Sequence, residues 1–314
     1  MTGVLSWVVG SGGLLGAGVE RALRHRGDVW RPEDRLPWGT PVIGQRLRRA
    51  LTEFAVASTG RGWQVAWCAG TGVPSTAEAT LREEEEVFNA FLDTLAITPG
   101  PGALFVASSA GGVYAGSSGP PFTEHTDPRP LAPYGESKLR VEQAAYRWGA
   151  RTGHPVVVGR ISNLYGLGQN LSKTQGLISH LCRAQLKRAP VSIYVSMDTV
   201  RDYLWADDAG QLVADCLDRA RTESAAGRPA PVTKVLASEH GTTVGALVAE
   251  LRRVHGRPTQ VVRVASAASA WQTKDLRVRS VVWADMGHRP LTPLPVGIAQ
   301  VLRHLMRQQQ HGRL

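Results

Sequence analysis

The stretch Gly10-Ser11-Gly12-Gly13-Leu14-Leu15-Gly16 limits what this chain can fold into more than any other. It follows the apolar run Leu5-Ser6-Trp7-Val8-Val9 and precedes a helical pattern through Val19, Ala22 and Leu23. A strand, a glycine turn and a helix are predicted in that order. In this setting the backbone N–H groups at a helix N-terminus can hold a phosphate. Gly10 permits the tight turn, Gly13 lets backbone approach a pyrophosphate, and Gly16 lets helix and strand close together. Gly10, Gly12, Gly13, Leu14, Leu15 and Gly16 are therefore candidate cofactor contacts.

The same alternation continues down the chain. Asp28 to Trp30 reads as a second strand ending at Arg31. An acidic residue there would accept from an adenosine ribose, whereas an arginine suits a 2′-phosphate, so Arg31, helped by Arg35, tilts the cofactor toward NADP(H) over NAD. A brief strand is expected near Leu36-Pro37-Trp38, a helix from Ile43 to Ala57 and a buried strand from Trp63 to Cys68. Ala69 and Gly70 open a small-residue turn that could face a cofactor. A helix from Thr76 to about Leu95 carries the Glu83 to Glu86 run, read as a solvated face. Gly102 to Ala107 is the next strand, and it delivers Ser108 and Ser109 to its carboxyl end, where open parallel sheets bind ligands.

Composition narrows the classes. The chain has 314 residues, 43% hydrophobic and 20% charged, as in globular proteins, and no apolar run approaches a membrane span. Cys68, Cys182 and Cys216 are scattered without a CxxC, so no disulfide framework or metal site is expected, and a reducing, cytoplasmic setting follows. The net charge of +10 comes from dispersed arginines rather than a basic patch interleaved with aromatics, which favours anionic small molecules over nucleic acid. Arg303, Arg307 and Arg313 make the C-terminal end basic, as a solvated helix end would be.

Pro133 then stops a loop, and a long amphipathic helix starts at Tyr134-Gly135-Glu136-Ser137-Lys138. Residues four apart share a helix face, so the Lys138 ammonium can lie near the Tyr134 phenol. A cation beside a phenol favours the phenolate, as a proton-abstracting tyrosine requires.

These stretches line up with Ser108-Ser109-Ala110-Gly111-Gly112-Val113-Tyr114, with Thr123-Glu124, with Arg160-Ile161-Ser162-Asn163-Leu164-Tyr165-Gly166, and with Arg201-Asp202-Tyr203 followed by Asp207-Asp208. In this order they resemble the extended short-chain dehydrogenase/reductases, specifically the nucleotide-sugar epimerase/dehydratase family, most clearly from 102 to 210. The resemblance implies a Rossmann-type doubly wound parallel sheet with a smaller α/β C-terminal substrate lobe. The expected division is residues 1–165 for the dinucleotide domain, with 196–215 returning to it, and 166–314 mainly for the lobe. It makes Tyr134 the acid/base and Lys138 its partner and a holder of the nicotinamide ribose. Ser109 would bond the reacting sugar oxygen, with Ser108 as the alternative and a cofactor contact. Ala110, Asn163 and Arg201 would contact the substrate, Arg201 through its phosphates.

Ala110 and Gly111 stand where dehydratases of the family carry an Asp-Glu pair. Neither can exchange a proton, which disfavours dehydration. The asparagine usual in the preceding helix is replaced near Glu84, and the acidic adenine contact is not evident. The implied activity is an NAD(P)-dependent nucleotide-sugar epimerase working through a transient keto-sugar. The alternatives are an NADPH-dependent keto-sugar reductase and a non-catalytic dinucleotide sensor. A nucleotide-diphosphate sugar is the implied ligand, with no nucleic acid or membrane partner, and family likeness makes a homodimer the expected assembly.

Further on, helices are expected over Gln175 to Leu186, from an N-cap at Asp208, and after Thr242 or Thr243, with strands at Val191 to Val195 and Val232 to Ala237. Residues 222–231 read as a surface connection. Arg277 or Arg279 is a candidate second phosphate contact.

Overall fold

The structure is a computed structural model, and it describes residues 3–173, 175–264 and 273–312; Arg313 lies outside them. The first half alternates strictly. Strands β1 (Leu5–Val9), β2 (Asp28–Trp30), β3 (Trp63–Trp67) and β4 (Gly102–Ser109) are separated by helices α1 (Leu14–Arg24), α2 (Ile43–Ala57) and α3 (Glu78–Leu95). A single turn of helix, α4 (Ala110–Val113), follows β4, and α5 (Pro133–Thr152) leads to β5 (Val156–Ile161) and β6 (Asn163–Tyr165). The second half runs α6 (Leu177–Lys187), β7 (Val191–Ile193), β8 (Val200–Trp205), α7 (Ala206–Ala225), β9 (Val232–Leu236), β10 (Gly241–Thr243), α8 (Val244–His255), β11 (Val261–Arg263) and α9 (Leu294–Gln310).

Six strands pair in parallel in the order β2-β1-β3-β4-β5-β9. Every residue of β1, β3 and β5 is buried, as both-sided helix cover requires. One face packs against α2, α3 and α5 through Trp7, Phe54, Trp67, Phe88 and Phe91, whose rings meet edge-on or tilted. The other packs against α1 and α7. These two helices nearly touch, because a Cβ at Gly18 would collide with the carbonyl of Ala206, and one at Gly210 with the backbone of Gly18.

The smaller lobe has its own core, built from α6, α8 and α9 around β6 and β8. Its sheets are β10-β8-β6 and β11-β7. Helix α7 packs on the large sheet and β9 pairs with β5 there, whereas β8 pairs with β6 and β10 and sends Leu204 into the large core. Glu124 joins β9 to the segment after Val278, accepting from Val235 N at 2.8 Å and Val281 N at 2.9 Å.

Other local expectations are corrected. Leu36-Pro37-Trp38 forms no strand; Pro32, Pro37 and Pro41 lack ladder donors, and Trp38 instead packs edge-on against Trp67. Asp208 lies inside the first turn of α7 rather than at its cap, and its carboxylate accepts from Thr292 N at 2.6 Å. Thr243 does cap α8, accepting from Ala246 N at 3.0 Å. Residues 222–225 continue α7, so the connection begins after Ala225. Cys182 and Cys216 are buried and Cys68 half-buried, and desolvation pushes all three thiols up to about 12, against a role as thiolate nucleophiles. Among the described residues no cluster could hold a metal, and no helix is long and apolar enough to cross a membrane.

Candidate active site

The carboxyl edge of the large sheet carries the site. Gly10 adopts φ +90°, and a Cβ on it would lie 2.7 Å from Ala69 N, so the turns after β1 and β3 press together. A Cβ at Gly16 would collide with the Gly10 carbonyl. Gly13 is the N-cap of α1 and no side chain caps the helix, which directs the first-turn N–H groups of Leu14, Leu15 and Gly16 outward. Gly12 and Gly13 are exposed, whereas the Leu15 side chain is buried in the core, so Leu15 offers a ligand only its backbone. Exposed backbone at Gly12 and Gly13, leading into a helix N-terminus that no side chain caps, fits a dinucleotide pyrophosphate.

Arg31 is exposed and ion-paired. Its guanidinium forks onto Glu20, with Nη2 donating to Oε2 at 2.5 Å, and that hydrogen bond holds it above its ordinary value. Arg35 is the arginine that reaches the glycine turn, its Nη2 lying 3.9 Å from the Cβ position of Gly12.

Ser108 and Ser109 point to opposite sides of β4, as strand pleating demands. Ser108 is buried and its hydroxyl donates to Glu142 Oε1 at 2.5 Å. Ser109 caps α4, its hydroxyl accepting from Gly112 N at 3.1 Å. The Tyr134 ring comes to the same place. A Cβ at Gly112 would lie 2.9 Å from Tyr134 Cε1 and 3.4 Å from Ser109 Cβ. Tyr134 reaches this point because Pro133 starts α5 and Gly135 lets that helix meet the Gly112 carbonyl. Lys138 follows one turn later, with its Nζ 5.6 Å from the Tyr134 ring centroid and 3.7 Å from the Cβ position of Gly70. The turn after β3 thus faces both residues.

Beneath these groups lies a buried network that sequence reasoning missed. Arg160 Nη2 donates to Glu142 Oε2 at 2.7 Å, and Nη1 donates to the Tyr114 hydroxyl at 2.8 Å. That hydroxyl donates to the Thr123 carbonyl at 2.7 Å. Burial would lower the Arg160 pKa, but the hydrogen bonds and charge of Glu142 outweigh it and push it up. Burial raises Tyr114. Glu142 stands among the inward residues of α5 and pairs with Arg160 of β5, and that acid among apolar inward positions was the available signal.

The substrate-side residues divide. Asn163 is exposed two residues beyond the end of β5, at the same sheet edge as Ser109, and its Nδ2 donates to the Asp202 carbonyl at 3.0 Å. Arg201 is 8% exposed on β8, and burial lowers its pKa despite Tyr203 and Asp275. The neighbouring Asp202 carboxylate accepts from Ser238 and His240. Ala110 is buried in a cluster with Val113, Tyr114 and Phe122. Arg277 is paired with Asp275 at 2.7 Å.

The geometry agrees with what the chain resembles. Residues 7–229 match the family described as "NAD dependent epimerase/dehydratase family". Among curated relatives, a dTDP-L-rhamnose 4-epimerase of Burkholderia thailandensis is 29% identical over 101 residues, which cover 32% of this chain and 28% of that protein. A dTDP-4-dehydro-6-deoxyglucose reductase of Escherichia coli is 33% identical over 34% of each chain. These matches span about a third of the relatives' lengths. Solved structures match throughout. A UDP-glucose 4-epimerase of Thermotoga maritima bound to UDP-glucose superposes with TM-score 0.80 at 17% identity, over 97% of this chain and 99% of that one. MoeE5 in complex with UDP-glucose and NAD gives 0.75 at 21%, over 98% and 100%. Taken with the family match over most of its length, the glycine turn and the Ser109, Tyr134 and Lys138 constellation identify this chain as belonging to the NAD dependent epimerase/dehydratase family.

Proposed function

We propose that the chain is an NAD(P)-dependent nucleotide-sugar epimerase acting through a transient keto-sugar, with Tyr134 as acid/base. The observation that carries this reading is the meeting of the Tyr134 ring and Ser109 at Gly112, with the Lys138 ammonium facing the Gly70 turn. Gly10, Gly12, Gly13, Leu14, Leu15, Gly16, Ala69 and Gly70 would hold the cofactor through backbone, Lys138 through its ribose, and the chemistry it supplies is reversible hydride transfer at one sugar carbon. Ser109 would orient the sugar oxygen, and Tyr134 would take the C4 hydroxyl proton and return it after the ketone turns its other face. Asn163 and Arg201 would contact the nucleotide-diphosphate portion. With Ala110 buried and Gly111 beside it, the place of a dehydratase's acid pair holds no proton donor.

A second reading, an NADPH-dependent keto-sugar reductase, is favoured by Arg35 over the glycine turn and by the absence of an acid at the end of β2. The paired helices α3 and α5, with a hollow lined by Phe88, Asn89, Leu139 and Arg140, would form the face of a homodimer.

Purified protein is incubated with candidate dTDP- and UDP-sugars while absorbance at 340 nm and product stereochemistry are followed. Interconversion without net absorbance change supports the epimerase. Stoichiometric NADPH loss supports the reductase, and neither signal with any sugar leaves a non-catalytic dinucleotide sensor.

A further inference from the structure

The run Glu83 to Glu86 reads in sequence as one solvated face, but the structure divides it. Glu83 and Glu86 are exposed, and Glu85 accepts from Arg140 at 2.8 and 2.9 Å. Glu84 turns the other way, into the site. Its Oε1 accepts from both the backbone N–H and the hydroxyl of Thr71, each at 2.7 Å, which fixes the carboxylate in one orientation. Its Oε2 is 3.4 Å from the Cβ position of Gly70 and 3.5 Å from that of Gly72. Lys138 Nζ is 3.7 Å from the first of these points and Tyr134 Cδ2 is 3.3 Å from the second. An anchored carboxylate thus sits across a two-glycine window from the ammonium and phenol of the proposed catalytic pair.

We propose that Glu84 sets the charge of the nicotinamide pocket and biases it toward the oxidised cofactor. The inference rests on the dinucleotide reading of Tyr134 and Lys138 given above. An oxidised nicotinamide ring carries one positive charge and a reduced ring none. Lys138 alone disfavours the cationic ring. A carboxylate facing the same glycines offsets that ammonium and restores tolerance for it. One unit charge at several ångströms, in a medium between protein and water, changes the preference on the order of tenfold. Glu84 is therefore a positioning residue for charge: it takes no proton from the sugar. A neutral amide at this place would leave the site one charge more positive.

The test measures dissociation constants of the oxidised and reduced dinucleotides for the wild-type protein and for Glu84→Gln, Glu84→Asp and Thr71→Val, by calorimetry and by quenching of intrinsic tryptophan fluorescence. Glu84→Gln is expected to weaken the oxidised form relative to the reduced form about tenfold, which for a two-electron couple raises the bound potential by about 30 mV. Glu84→Asp, which keeps the charge, stays within about threefold of the wild-type ratio. Equal weakening of both forms by Glu84→Gln, or a change of ratio in Thr71→Val as large as in Glu84→Gln, assigns Glu84 a purely structural role and overturns the inference alone. A wild-type protein that binds neither form overturns the dinucleotide reading and this inference with it.

Discussion

Gly112→Ala is the substitution that most sharply tests how Tyr134 is placed. The glycine lies in α4 and has an ordinary helical backbone, so alanine brings no conformational strain of its own. The added methyl would sit 2.9 Å from Tyr134 Cε1, 3.1 Å from Cδ1 and 3.4 Å from Ser109 Cβ. Ordinary carbon contacts are about 3.5–4.0 Å, so the ring must move by about 0.6–1 Å. Overpacking of this kind costs roughly 1–3 kcal/mol of stability. Displacing a reacting group by about 1 Å costs on the order of 100-fold in turnover. The expected outcome is a folded protein with wild-type dinucleotide affinity and kcat reduced about 100-fold. Gly111→Ala is the matched control: its Cβ position is 3.8 Å from Leu276 Cδ1, a normal contact, and activity is unchanged. Turnover of Gly112→Ala within about threefold of wild type would refute the placement of the phenol against Gly112, since a displaced ring cannot keep its rate.

Further outcomes follow from other contacts. Glu142→Leu leaves Arg160 charged and buried, and it should lose roughly 3–5 kcal/mol by urea unfolding, with Ser108 also losing its acceptor. Arg35→Ala should weaken NADP(H) roughly tenfold in calorimetry while leaving NAD(H) unchanged, if Arg35 holds a 2′-phosphate. His154 stacks on Trp148 and meets Trp63 edge-on, and burial lowers its pKa below the unfolded value of 6.5. The unfolded chain therefore protonates first, and stability falls as pH drops through about 6.5 and flattens below the folded value. Thermal melts from pH 7.5 to 5 should show a smaller acid loss in His154→Gln.

The parts of the fold legible in the sequence are those written in local pattern. Most strands and helices of the first half follow from apolar runs punctuated by glycine and proline, and α2 falls where a helix was expected, around Ile43 to Ala57. The Tyr134–Lys138 spacing put both side chains on one helix face, and the Ser109 strand end put a hydroxyl at the sheet edge. What sequence did not reveal depends on partners far along the chain. Whether Ser108 or Ser109 faces the groove is decided by Glu142, 34 residues away. Arg31 is paired with Glu20, itself on the buried side of α1. Glu84 was marked in sequence only as standing near the place of the family's usual asparagine, and its bonds to Thr71 are what turn it out of the solvated face. The return of Val232–Leu236 to the large sheet has no local mark, because an edge strand of that sheet and a strand of the lobe share the same apolar pattern.

The central claim is that the Tyr134 phenol and the Ser109 hydroxyl converge on one sugar oxygen beside a nicotinamide held by the Gly10 turn. A crystal structure of the protein with dinucleotide and a bound nucleotide-sugar measures this directly. Both oxygens are predicted within about 2.6–3.2 Å of the same sugar oxygen. A complex in which the sugar lies on the far side of Gly112, with Tyr134 contacting neither sugar nor nicotinamide, would contradict the account.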